Sequence, residues 1–99
     1  MEKNSDTLSI NLKLGTQSLP MTVNREDEIL YRDAEKLINE RFNFYTTRYP
    51  QLGQNMYLTM MALDVAVRLK ATERTADPKP MNERMEALIH DLEQALQEK

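Results

Sequence analysis

The sequence predicts an α+β fold: an N-terminal β-hairpin packed on two helices, the second long and continuing into a C-terminal coiled coil. Three observations predict it. Apolar and polar residues alternate between Thr7 and Leu14 and again from Leu19 to Val23, the period of a strand with one buried face. From Ile29 onward the apolar residues recur instead at steps of three and four, as an amphipathic helix requires. Beyond Pro80, Met81, Met85, Leu88, Leu92 and Ala95 keep steps of four and three, the a/d seam of a coiled coil about two heptads long.

In the hairpin, Leu8, Ile10, Leu12 and Leu14 point one way, with Ser9, Asn11 and Lys13 between them. Gly15, Thr16, Gln17 and Ser18 supply the turn, and Leu19, Met21 and Val23 resume the alternation. Pro20 has no amide donor, which places the second strand at a sheet edge. An isolated hairpin is marginal in water, so the next element must cover it. Asn24, followed by Glu26, Asp27 and Glu28, reads as a helix cap with acids opposing the positive end of the dipole. On the helix it opens, Ile29 or Leu30, Ala34, Leu37, Ile38, Phe42 and Tyr45 form the apolar face, leaving Arg32, Asp33, Lys36, Asn39 and Glu40 outside. Pro50 and Gly53 end this helix.

The second helix starts near Gln54 or Asn55 and contains MYLTMMALDVAVRL, residues 56 to 69. At 3.6 residues per turn, Leu58, Met61, Ala62, Val65 and Leu69 make one apolar stripe, and Met56, Met60, Leu63 and Val67 make another. Two stripes need two partners. The hairpin and first helix cover one, and a second copy of the chain covers the other, so Met56, Met60, Leu63 and Val67 are the expected dimer interface. A head of about 60 residues without disulfide or metal is marginal alone and gains its missing burial by oligomerising. Asp64 and Arg68 stand at the i, i+4 spacing of an ion pair at the edge of that interface.

The expected organisation is a head over residues 7–70, ending in the dimerising helix, and a coiled-coil tail over 71–99 with a proline-marked break at 77–80. There Asp77 is the expected cap of a restarted helix, with Pro78 and Pro80 in its first turn. Besides the a/d residues, Ile89 and Leu96 lie at e, so the seam Met81, Met85, Leu88, Ile89, Leu92 and Leu96 is wider than two strands need. Beyond Pro80, the five acids Glu83, Glu86, Asp91, Glu93 and Glu98 against Arg84 and Lys99 give −3, equal to the whole formal net charge of the chain.

No catalytic, cofactor-binding or metal-ligating constellation is legible. His90, the one histidine, falls at the solvent-facing f position. The carboxylates are scattered over helix surfaces, and neither a phosphate-binding loop nor a nucleophile motif occurs. Zero cysteines exclude disulfides and thiolate metal sites and agree with a reducing compartment. Without a basic cluster, nucleic acid is not an expected partner. The absence of an apolar run of about 18 residues and of a secretory leader points to the cytoplasm and away from a membrane. A protein partner remains. Arg41, Arg48 and Tyr49 near the end of the first helix, with Gln54 and Asn55 after the loop, are the candidate residues for binding it.

The segment from Leu8 to Gly15, then Ala34 with Leu37 and Ile38, and above all Met61-Ala62-Leu63-Asp64-Val65-Ala66 give the chain a close likeness. It resembles the ZapA family of bacterial cell-division proteins, whose members carry an "AALNIA" type segment at the last position. The family commonly has a basic residue where Thr16 stands, Asn where Asp64 stands, and an unbroken helix where Pro78 and Pro80 stand. The resemblance implies a non-enzymatic adaptor, a homodimer or homotetramer joined through the long helix and coiled coils. It would bind FtsZ, the tubulin-like division GTPase, and cross-link its protofilaments at midcell. The alternative from the residues alone is a structural coiled-coil subunit of another cytoplasmic assembly.

Overall fold

The computed structural model of the chain describes residues 6–74 and 79–97. Its elements are β1 (Thr7–Leu14), β2 (Gln17–Asn24), a 3-10 turn (Arg25–Asp27), α1 (Glu28–Arg48), α2 (Gln54–Glu73) and α3 (Met81–Gln97). The chain is thus α+β, an antiparallel hairpin followed by three helices of which the second is long. It forms two compact units, Met1–Pro50 and Gln51–Lys99.

In the first unit β1 pairs with β2 so that Leu14 faces Gln17 and Leu8 faces Val23. The loop is therefore the two residues Gly15 and Thr16, tighter than the four-residue turn read from the sequence. Gly15 takes φ +66°, while no non-glycine residue has positive φ among the described residues. Glycine first and an ordinary residue second is the type II′ pattern, whose twist matches that of the flanking strands. The buried face carries Ile10, Leu12 and Val23, with Leu8, Leu14, Met21 and Tyr31 packed around them. This is the alternation expected of a strand pair wetted on one side.

α1 runs along the outer edge of β1 and satisfies it with side chains. Asn39 accepts a hydrogen bond from the Gly15 N–H at 2.8 Å and donates to the Lys13 C=O at 2.7 Å. Glu35 accepts from the Lys13 N–H at 2.7 Å, and Arg32 reaches the Asn11 C=O at 3.4 Å while pairing with Glu35 at 3.0 Å. Two turns of polar side chains thus stand in place of a third strand. Because Asn11 and Lys13 turn their backbone groups outward, their cross-strand partners Pro20 and Ser18 do the same on the β2 side. There Pro20 offers no donor, which blunts that edge against further strand pairing.

These contacts correct the helix face read from the sequence. Arg32 and Asn39 were expected in solvent and lie on β1, whereas Ile29 and Leu30 are 68% and 65% exposed and Ala34 is exposed as well. The physical reason is that a strand edge needs donors and acceptors, so α1 turns its polar row inward. The expected cap also differs: Asn24 makes no side-chain cap bond and precedes the 3-10 turn, its amide reaching Asp27 at 3.5 Å. α1 ends where Tyr49, held to a non-helical conformation by Pro50, still donates its N–H to the Tyr45 C=O at 3.0 Å.

In the second unit Gly53, at φ +88°, opens α2, and the Tyr57 hydroxyl accepts the Leu52 N–H at 3.2 Å to close the loop. α2 buries Tyr57, Met60 and Asp64, and α3 buries Met85 and Leu88. α3 packs against α2. The expected helix restart at Asp77 and Pro78 lies outside the described residues. α3 itself begins at Met81, its first turn closed by the Arg84 N–H on the Pro80 C=O at 3.1 Å.

Candidate functional site

Three of the five candidate partner-binding residues come together at the C-terminal end of α1. Arg41, Phe44, Tyr45, Arg48 and Tyr49 recur at helical spacings of three and four, so they stack along one face. The Arg41 guanidinium sits 4.5 Å from the Phe44 ring centroid and 5.7 Å from that of Tyr45. Arg48 lies 5.8 Å from both the Phe44 and Tyr49 centroids and donates through Nε to the Tyr49 hydroxyl at 3.1 Å. Tyr45 is fully buried, edge-on to Phe44 at 5.1 Å and stacked on Tyr49 at 6.3 Å. It anchors the row.

Arginine over an aromatic face keeps its charge and its planar donor fork while giving up side-chain freedom beforehand. A guanidinium held this way loses less entropy when it meets a carboxylate. Glu40, Arg41, Asn43, Phe44, Thr47 and Arg48 line an open hollow beside the row. Its two cations on aromatic supports suit an acidic, partly apolar protein surface. Phe44 was missed in the sequence reading, although its spacing of three from Arg41 and four from Arg48 was a visible signal.

Gln54 and Asn55 occupy the first turn of α2, both exposed, and the Asn55 C=O accepts the Thr59 hydroxyl at 2.9 Å. They belong to the second unit. Of the α2 residues expected at a dimer interface, Met60 is 2% exposed and Leu63 45% exposed, while Met56 and Val67 are half-buried. Leu58 and Leu69, of the other stripe, are exposed. Along the tail seam Met85 and Leu88 are buried and Met81, Ile89, Leu92 and Leu96 half-buried, with His90 exposed.

Two charged groups hold special positions. Asp64, expected at an interface edge, is completely buried and pairs with Arg68 Nε at 2.6 Å. Glu35 has its carboxyl held below the ordinary carboxylate range, first by the Lys13 N–H it accepts and then by the Arg32 guanidinium. Partial desolvation opposes this shift.

Among the described residues no group of three or more His, Cys, Asp or Glu side chains could hold a metal ion, and no helix is long and apolar enough to cross a membrane. The site is thus a surface row of two arginines on aromatic rings at the end of α1. Comparison with known families then places the chain: residues 10–97 match the family described as cell division protein ZapA. The chain belongs to the ZapA family. Neither a curated protein nor a solved structure gave a match.

Proposed function

We propose that this chain is a non-enzymatic cell-division adaptor that binds FtsZ at midcell in the cytoplasm and cross-links its protofilaments. Membership of the ZapA family over residues 10–97 is the observation that carries the reading. The arginine-aromatic row at the end of α1 supplies a surface with the charge to meet an acidic filament face, and Gln54 and Asn55, in the second unit, are separate candidate contacts. Cross-linking needs at least two heads per particle. The α2 stripe provides the pairing, with Met56 and Leu63 keeping surface for a second copy while Met60 is already covered and Val67 is half-buried. In this reading residues 7–70 act as the head and 71–99 as the tail, whose seam Met81, Met85, Leu88, Ile89, Leu92 and Leu96 has the composition to join dimers into tetramers.

Multivalency is the mechanism. Once one head is bound, the second engages a neighbouring filament at the effective concentration set by the spacer, so weak contacts add up to a stable bridge. The test is cosedimentation with polymerised FtsZ combined with electron microscopy. Enrichment of the chain in the pellet and filament bundles are the expected result. A chain left in the supernatant, with single filaments throughout, overturns the proposal and returns weight to a structural role in another assembly.

A further inference from the structure

α2 ends at Glu73 and α3 begins at Met81, so seven residues join them. Fully extended, such a connection spans at most about 25 Å, whereas α2 with its 20 residues rises about 30 Å. A helix that packs on α2 after so short a link cannot return to its start and run parallel to it. The packing of α3 on α2 after so short a link points to an antiparallel αα-hairpin.

Burial identifies the surfaces inside that hairpin unit. On α2, Tyr57, Met60 and Asp64 are buried and Val67 and Ala71 half-buried, at steps of three, four, three and four. On α3, Met81, Met85, Leu88 and Leu92 follow at four, three and four, with Met85 and Leu88 each 8% exposed. Each helix thus carries one a/d row of the kind that seats knobs into holes. The tail seam, read from the sequence as a surface for other copies, is already largely covered in a single chain.

We infer that the tail seam is stowed within its own subunit: α3 lies antiparallel along the Tyr57, Met60, Asp64, Val67, Ala71 row of α2, and Met85 and Leu88 reach a second copy only after α3 has swung away. The spacer is then a folded helical hairpin about 30 Å long instead of a rod roughly twice that length. Tail-to-tail pairing competes with this closed form, because one apolar row cannot serve two partners at once. The inference does not depend on which protein the heads bind.

The chain has no cysteine, so spin labels at T59C and Q97C, both exposed positions, are unique. Electron-electron distance measurement on the full chain, diluted with excess unlabelled subunit to remove distances between copies, separates the two forms. The stowed tail gives a main distance below about 25 Å, since antiparallel neighbours pack at roughly 8–10 Å between axes. An extended tail gives about 45 Å or more from helical rise alone, and that result overturns the inference. The same labels in a chain also carrying M85D and L88D report what holds α3 in place. A shift of the main distance from short to long supports the stowed seam, and an unchanged short distance contradicts it. Should this variant not fold, the distance in the unaltered seam still decides.

Discussion

Replacing Asn39 by Ala removes the one side chain that joins both a donor and an acceptor on the free edge of β1. Its two hydrogen bonds, 2.8 Å from the Gly15 N–H and 2.7 Å to the Lys13 C=O, are each worth about 0.5–1.5 kcal/mol net. The Lys13 bond is exposed, and water takes over much of its value. The Gly15 bond is partly buried, and its loss is felt in full. Together they give a destabilisation of about 1–2 kcal/mol, equivalent to a fall in melting temperature of roughly 4–16 °C for a chain of this size. Thermal and urea unfolding at one fixed protein concentration measure it, since an assembling chain melts at a concentration-dependent temperature. Asn39→Asp should be at least as damaging, because a carboxylate still accepts from Gly15 but faces the Lys13 carbonyl with no donor. A loss below about 0.5 kcal/mol, well under one hydrogen bond, for both variants would refute the account of how α1 is fixed to the hairpin.

Glu35 links the same edge to pH. Its folded pKa is lowered, so its contribution is present above the unfolded value of about 4.3 and is lost as pH falls through the lower folded value. The stability gap between the unaltered chain and Glu35→Gln should therefore narrow as pH falls below the ordinary carboxylate value of about 4.3, and a gap that stays constant in acid urea titrations contradicts this. Arg68→Ala leaves the buried Asp64 carboxylate without its 2.6 Å partner. With Arg68 itself partly exposed, the cost is about 1–3 kcal/mol, below that of a wholly buried pair, and Asp64→Asn should recover part of it in the double variant. Leu63→Asp alters a side chain that is 45% exposed and should lower the particle mass seen by light scattering without unfolding the chain. An unchanged mass at every dilution argues against pairing through that stripe.

The hairpin was legible because its burial is one-sided: Ile10, Leu12 and Val23 are buried where alternation placed them. The face of α1 was not, and the reason is chemical. A stripe argument sorts residues by hydrophobicity, yet β1 needed hydrogen-bonding groups, so Arg32, Glu35 and Asn39 turned inward and Ile29 and Leu30 outward. The buried row of α2 was hidden for a related reason, since Tyr57 and Asp64 sit on it and neither counts as aliphatic. At the candidate site, Arg41, Arg48 and Tyr49 were recognisable from charge and position. Phe44 and the buried Tyr45 that organise them carried only a spacing signal, which is shared with ordinary core aromatics.

The central claim, that the arginine-aromatic row at the end of α1 is the surface that meets the filament, is tested most directly by affinity for polymerised FtsZ. The measurement compares the unaltered chain with an Arg41→Glu, Arg48→Glu variant whose particle mass and unfolding transition are checked to be intact. The row predicts a loss of affinity of at least about tenfold, a little over 1.4 kcal/mol, with the remaining binding less sensitive to salt. Equal affinity and equal salt dependence for the two proteins would place the contact elsewhere on the molecule.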